Sequence, residues 1–301
     1  MSKPKNDYLD TSLHAGLVKE QFFTYDQPFK MERGLLDDFT LAYETYGDLN
    51  PSSDNAILIC HALTGDHHAA GVYSEDDKKP GWWNHVVGPG KAIDTNKFFV
   101  ICSNCLGACK GSTGPSSRKA MGETYGMSFP DLSILDMVRA QKLLLDHLGV
   151  PKLFAVVGGS MGGMQALQWI VEYPDFSEKA IIIAATAQHT VQTIAFNEAG
   201  RRSIVGDPGW NEGDYNEGEG PDKGLAVARM MAHITYLSDH GMEEKFGGSK
   251  RLDSGMEFEF SVQRYLDYQG KKFINRFDAN TYLKLTEALD RFDLVGENAL
   301  E

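Results

Sequence analysis

A G-x-S-x-G pattern at 158–162 connects an apolar run to a helical pattern near the middle of this 301-residue chain. The run at 153–157 is typical of a short strand, and apolar residues at 164, 167, 170 and 171 then keep one face of a helix. A sharp turn between a strand and a helix strains its central residue and exposes that side chain at a helix N-terminus, where negative charge is stabilised. We therefore predict that Ser160 is a nucleophile; the plainer interpretation is a glycine-rich turn with an idle serine.

Strand and helix patterns alternate over the first 186 residues. The alternation at 39–45 predicts an antiparallel strand with one solvated face, and the continuous apolar run at 56–60 predicts a buried strand of a parallel sheet. Further patterns follow: strands at 98–101 and 181–185 and a helix at 130–148. Such βαβ units predict a mostly parallel sheet with helices on both faces, which together with the serine turn is the α/β-hydrolase architecture.

The pattern changes after residue 186. Helical runs dominate 188–290, at 225–237, 262–268 and 279–290, with no strand of the buried kind among them. We therefore predict three regions: a hydrolase core at 1–186, an inserted helical lid at 187–290, and the truncated start of a return to the core at 291–301. The last strands of the fold are expected to be missing from the chain.

Charge and hydropathy exclude several classes of partner. The formal charge is −13 and the sequence pI about 5.1, which argues against a nucleic-acid or anionic membrane surface. No apolar run approaches the ~20 residues that span a bilayer, and the first ten residues are polar. We expect a cytoplasmic protein.

Four cysteines are present, three of them closely spaced: Cys60, Cys102, Cys105 and Cys109. The C-x2-C spacing invites a metal interpretation, but no fourth ligand follows at a zinc-ribbon distance. Two of the cysteines end strand-like runs, where cysteine acts as a small apolar residue. We predict no metal site and no structural disulfide.

A nucleophilic serine also needs donors for the developing oxyanion. In this fold one donor is the backbone N–H of the residue after the nucleophile, here Met161, and the other comes from a loop after an earlier strand. The segment His61-Ala62-Leu63-Thr64-Gly65 occupies that place, and we favour the N–H of Leu63. The His61 side chain is expected to brace this loop, because the base of the fold arrives later in the chain.

The expected base and its carboxylate are not visible. The fold places them after the nucleophile in the order Ser, Asp or Glu, His, on loops following later strands. The histidines after Ser160 all fall in the helical region: His189, His233 and His240. We therefore expect that the Asp and His of the triad are not present in this chain.

At this point the sequence resembles the homoserine O-acetyltransferase family of the methionine pathway. The resemblance runs nearly the length of the chain and is carried by five segments: HALTGD at 61–66, GACKGSTGPSS at 107–117, GGSMGGMQALQW at 158–169, GLAVARMMAHITYLS at 224–238 and YQGKKFINRFDANTYLKLTEALDRFD at 268–293. The last two are far more specific than the serine turn.

The resemblance implies a ping-pong acetyl transfer from acetyl-CoA to the hydroxyl of L-homoserine through an acyl-Ser160 intermediate, with no bound cofactor. It implies that Arg229 pairs with the homoserine carboxylate, a task that suits a guanidinium, and that Tyr236 lines the same pocket. It also implies a homodimer formed through the lid helices, and a triad Asp and His in a C-terminal stretch without a counterpart here.

Three interpretations remain open from the sequence. The first is the acyltransferase, with negligible activity expected of the truncated chain, and with succinyl in place of acetyl or serine in place of homoserine as variants. The second is a serine esterase or hydrolase with water as acceptor. The third is a non-catalytic binding protein of the same fold.

Overall fold

The central element is a six-stranded sheet, seen in a computed structural model that describes residues 15–119, 121–216, 218–247 and 260–296. Its strands are β1 (Gln21–Tyr25), β4 (Phe39–Tyr46), β5 (Ala56–Cys60), β8 (Phe99–Ser103), β9 (Leu153–Gly159) and β10 (Ala180–Ile183). Two small two-stranded sheets pair β2 (Phe29–Met31) with β3 (Gly34–Leu36), and β6 (Val87–Gly88) with β7 (Ile93–Asp94).

The strand order is β1-β4-β8-β5-β9-β10. β5, β8, β9 and β10 run parallel, while β4 pairs antiparallel with both β1 and β8. Every residue of β5 is buried, as the continuous apolar run predicts for the middle of a parallel sheet. The predicted mostly parallel sheet is therefore confirmed.

The prediction of a solvated face on β4 is wrong. Six of its eight residues are buried and the other two are half-buried, and the carboxylate of Glu44 is fully enclosed. The polar residues of the alternating pattern are at least half-buried, and Glu44 is covered because the loop that follows β5 lies against this strand and bonds to it through Glu44 and Tyr46.

Seven α-helices lie in the described residues: α1 (Ile134–His147), α2 (Met161–Glu172), α3 (Val191–Val205), α4 (Asp222–Thr235), α5 (Asp239–Phe246), α6 (Ser261–Ile274) and α7 (Ala279–Asp290). α1 begins later than the predicted residue 130, because Ser133 forms a capping box with Asp136 there. The predicted helix at 279–290 has the observed bounds. None of the described helices is long and apolar enough to cross a membrane.

The region after β10 contains more helices than its sequence pattern predicts. The patterns at 225–237 and 262–268 correspond to α4 and α6, but α3 and α5 are not predicted. Only two residues of α3 are buried, Gly200 and Ile204, so its apolar periodicity is weak. Parts of the predicted regions lie outside the described residues: 1–14 of the core, 248–259 of the lid and 297–301 of the last segment.

α7 contacts the sheet domain on one side and helix α3 on the other. α7 is buried along almost its whole length, and Lys284 donates to Asp131 before α1 at 2.8 Å. On its other side, Asp290 accepts from Asn197 of α3 at 2.6 Å and lies 2.7 Å from Arg201 Nη1. α7 thus joins the outer lid helices to the sheet domain.

Candidate active site

Ser160 lies at the junction of β9 and α2 with its side chain exposed. Its backbone has φ +56° and ψ −124°, a region that L-residues rarely adopt. The turn is fixed from both sides, because the Ser160 N–H donates to Ile183 O of β10 at 2.9 Å and its carbonyl accepts from Met164 at 3.0 Å. The strained conformation therefore holds the hydroxyl in the open at the N-terminus of α2.

Two glycines permit this turn by close approach. A Cβ on Gly158 would overlap the backbone of Gly162, and a Cβ on Gly162 would overlap the carbonyl of Cys60 in β5. At Gly159, by contrast, an added Cβ would meet Ile183 O at 3.7 Å, an ordinary contact. The first and last glycines of the pattern are thus required by packing, and the middle one is not.

The two backbone N–H groups that the sequence predicts as oxyanion donors belong to the loop after β5 and to the start of α2. Within the described part of the chain, neither the N–H of Leu63 nor that of Met161 donates a hydrogen bond. Met161 is the first residue of α2, where a helix leaves its N–H groups unpaired. Both groups are consequently free to bind an oxyanion.

His61 is a brace rather than a base, as predicted. Its Nδ1 lies 2.8 Å from Ala62 O, and its Nε2 accepts from the Cys105 N–H at 3.0 Å, so the ring is a neutral tautomer with the proton on Nδ1. Its side chain is buried, and that burial lowers the pKa of His61. The ring thus ties the start of the Leu63 loop to the segment after β8.

No base contacts the nucleophile among the described residues, since the Ser160 hydroxyl makes no hydrogen bond there. His189 lies 3.1 Å from Asp290 Oδ1, and His233 lies 2.8 Å from the Tyr265 hydroxyl. Burial first, and the nearby Arg229 second, lower the pKa of His233 to about 4. His240 is exposed on α5. The described residues therefore combine an exposed serine with two unpaired backbone N–H groups, and none of these three histidines hydrogen-bonds the Ser160 hydroxyl.

Arg229 extends from the lid to the loop that carries Leu63. Its Nη1 donates to Thr64 Oγ1 at 3.4 Å, across 165 positions of sequence. The guanidinium stacks over the Phe273 ring at 4.7 Å and lies 5.9 Å from the ring centre of Tyr236, which is 57% exposed. The structure thus brings together the two residues that the family resemblance singles out, beside the predicted oxyanion loop.

The charge of Arg229 has no counter-ion among the described residues. In the parts of the chain that the structure describes, no carboxylate lies within ion-pair distance of this guanidinium. Burial lowers its pKa, and the neighbouring cation of Arg276 acts in the same direction. A half-buried cation without a counter-ion is costly, so the site favours an anionic ligand.

Three residues of this site were missed by sequence reasoning: Thr64, Phe273 and Arg276. Phe273 is buried and also stacks with Phe277, so its periodicity marks it as an ordinary core residue. No sequence signal joins positions so far apart: the packing of α6 against α4 reveals Phe273 and Arg276, and the contact of Arg229 with the loop after β5 reveals Thr64.

The cysteines do not compete with Ser160 as nucleophiles. All four lie in the described part of the chain and are free thiols, three of them buried. Burial raises the pKa of Cys60 to about 12 and that of Cys109 to about 11, so the reactive thiolate form is scarce at neutral pH.

Known proteins share the fold and much of the sequence of this chain. The alpha/beta hydrolase fold family matches residues 55–288. Homoserine O-acetyltransferase of Methanococcoides burtonii is 57% identical over 294 residues, which are 95% of this chain and 60% of that protein. The enzyme of the same name from Desulfotalea psychrophila is 53% identical over 93% of this chain and 75% of its own length.

Solved structures give the same picture. The crystal structure of homoserine O-acetyltransferase from Bacillus anthracis aligns with TM-score 0.85 and 33% identity, covering 92% of this chain and 77% of that one. Esterase E22 aligns with TM-score 0.83 and 33% identity, covering 92% and 79%. The chain thus spans about three fifths of its methanogen relative and about three quarters of the bacterial ones. On this evidence the chain belongs to the homoserine O-acetyltransferase family of the alpha/beta hydrolase fold.

Proposed function

We propose that this protein transfers an acetyl group from acetyl-CoA to the hydroxyl of L-homoserine, a step of methionine biosynthesis. One observation supports the acceptor most directly: Arg229 is a half-buried cation without a carboxylate partner among the described residues, and it contacts the loop of the proposed oxyanion donor. An amino-acid carboxylate satisfies that cation and binds the acceptor beside the loop that carries Leu63.

The mechanism has two half-reactions. Ser160 Oγ attacks the thioester carbonyl while its proton passes to a base, and the oxyanion accepts hydrogen bonds from the N–H groups of Leu63 and Met161. The C–S bond breaks, CoA leaves as the thiol with that proton, and an acetyl-serine remains. The homoserine hydroxyl then attacks this ester, gives its proton to the base, and Ser160 leaves with a proton returned to its oxygen.

The Arg229 guanidinium would hold the homoserine carboxylate during the second half-reaction, and the exposed ring of Tyr236 would form a wall of the same pocket. His189 and His233 are bonded to Asp290 and Tyr265, and no described residue is assigned as the base.

A second candidate is hydrolysis, in which water replaces homoserine at the acetyl-serine. The likeness to esterase E22 favours it, because the serine turn and the oxyanion donors serve both reactions. The two functions differ in the need for an acceptor. Hydrolysis releases CoA and acetate without homoserine, whereas the transferase releases CoA in proportion to O-acetylhomoserine.

The test is a CoA-release assay of the purified protein with acetyl-CoA and a series of acceptors. Homoserine should be the best acceptor, and 3-aminopropan-1-ol, which lacks only the carboxylate, should be poorer by ~2–5 kcal/mol in kcat/KM, as for one lost partner of a buried charge pair. L-serine and succinyl-CoA test chain length and donor. Equal rates with the amino alcohol would refute carboxylate recognition.

We also propose a homodimer formed through the lid and a cytoplasmic location, where CoA thioesters are used. Support for the dimer comes from exposed apolar side chains on α3 and α4: Val191, Val227 and Ile234. Sedimentation of the wild type beside a Val227→Glu variant measures this directly.

A further inference from the structure

The loop at 61–70 carries the proposed donor Leu63 and is fastened at both ends. His61 holds its start, as described above. At its other end the Tyr46 hydroxyl oxygen accepts hydrogen bonds from two consecutive backbone N–H groups, those of Ala69 at 2.9 Å and Ala70 at 3.0 Å. The Ala69 N–H also bonds the His67 carbonyl at 2.8 Å, whereas the Ala70 N–H has no other acceptor among the described residues, so one side chain of β4 satisfies a buried donor and adds a second bond beside it.

The Tyr46 hydroxyl is itself fixed by a buried carboxylate. It donates to Glu44 Oε2 at 2.5 Å, and Glu44 has no exposed surface. Burial first, with Cys102 and Glu44 contributing, raises the pKa of Tyr46 above its usual range, so this hydroxyl keeps its proton. A fully buried carboxylate is expensive unless it is bonded, so β4 supplies a rigid, directional acceptor.

The loop also contacts Glu44, through His68. Its Nδ1 lies 3.1 Å from Glu44 Oε1, and its ring stacks on Tyr73 with 4.3 Å between the ring centres. Trp82 Nε1 also donates to the Asp66 carbonyl at 2.9 Å. Residues 63 and 64 therefore lie between two fastened ends, and one bears the free N–H while the other contacts Arg229.

We propose that Glu44, Tyr46 and His68 are positioning residues that hold the Leu63 N–H at the oxyanion through the loop at 61–70. This inference rests on the proposed function for its kinetic part. None of the three is assigned to touch substrate; they act through the loop. Because an oxyanion donor contributes by its placement, a small displacement lowers the rate of acyl transfer while acceptor binding changes little.

The main test compares Tyr46→Phe with Tyr43→Phe. Tyr43 is a buried tyrosine on the same strand whose hydroxyl, among the described residues, makes only a long bond of 3.4 Å to Gln21, so its variant controls for loss of a buried hydroxyl. Tyr46→Phe should lower kcat by about tenfold to a hundredfold, less than the 10²–10³ for removal of a donor, with homoserine KM within about threefold. Tyr43→Phe should stay within about twofold of wild type.

A second measurement does not depend on activity. Hydrogen–deuterium exchange of the peptide covering 61–70 should accelerate in Tyr46→Phe and not in Tyr43→Phe. If the wild type shows no transfer to homoserine, the proposed function fails, yet the exchange result still decides whether β4 holds the loop. Unchanged exchange, or an altered KM with an unaltered kcat, would overturn the proposal.

His68 provides the variant that tolerates change, since its side chain is only partly buried. His68→Ala should lower kcat by about threefold to tenfold, and His68→Asn should restore most of that loss, because an amide can donate to Glu44 from nearly the same place. If Tyr46→Phe fails to fold, this pair carries the test. Equal kcat for His68→Ala and His68→Asn would contradict a positioning role.

Discussion

The nucleophile turn and the Arg229 site are built in opposite ways. The turn consists of contiguous residues, from β9 into α2, and its geometry is imposed by glycines whose Cβ atoms would collide with neighbouring backbone. The Arg229 site is assembled from three distant segments: the loop after β5, α4 and α6. A turn of contiguous residues can serve many reactions. The Arg229 site depends on contacts between distant segments and would select one substrate.

The largest effect is expected at the turn that contains Ser160. Ser160→Ala should lower acetyl transfer to homoserine by a factor on the order of 10⁴–10⁶, because the acyl-serine pathway is lost and only oxyanion binding and orientation remain. The measurement is kcat from CoA release, with circular dichroism as the check on folding. A loss below about tenfold would show that another group carries the acyl chain.

A substitution in the Arg229 site should lower the rate less, and the loss should depend on the substrate. Arg229→Ala should reduce kcat/KM for homoserine by ~2–5 kcal/mol, the range for one lost partner of a buried charge pair. Arg202→Ala, which removes an exposed guanidinium paired with Glu198 on α3, serves as the control and should stay near wild type. If Arg229→Ala keeps wild-type homoserine kinetics, Arg229 does not belong to the site.

The turn can also be broken without touching its serine. Gly158→Ala should destabilise the protein by about 3 kcal/mol, because the new Cβ overlaps the Gly162 backbone. Gly159→Ala, one residue further, should change the free energy of unfolding by less than about 1 kcal/mol, since its Cβ meets only ordinary contacts. Chemical denaturation of the two variants measures this difference, and equal destabilisation would argue against the packing explanation.

The smallest effect concerns His233, which lies beside Arg229 on α4. Its folded-state pKa is about 4, below the usual 6.5, so between these values the unfolded chain binds a proton that the folded chain does not. Stability contributed by the neutral ring is therefore complete above about pH 6.5 and is lost as the pH falls toward 4. As the pH is lowered through this window, the melting temperature of the wild type should fall more steeply than that of His233→Gln. Parallel curves would contradict the lowered pKa.

The same contrast explains what the sequence could reveal. Short-range patterns predict the serine turn, the strand at 56–60 and α7, because each depends on residues near one another in the chain. The enclosure of β4 could not be predicted, because the segment that covers it begins after β5. α3 was missed because few of its side chains are buried.

Within the site, Ser160 and the two backbone donors follow from the motif. Arg229 and Tyr236 came only from the resemblance to a family, since a helical arginine is ordinarily a solvated charge. Thr64, Phe273 and Arg276 had no signal, because their roles arise from contacts between segments that are far apart in the sequence.

The central claim is that Ser160 carries an acetyl group and passes it to homoserine. Intact-protein mass spectrometry after mixing with acetyl-CoA should show one acetyl group, located by peptide mapping on the segment that contains Ser160. Adding homoserine should remove it and release an equal amount of O-acetylhomoserine, whereas 3-aminopropan-1-ol should remove it far more slowly. Acetyl on another residue, or loss of the acetyl group at the same rate without homoserine, would contradict the account.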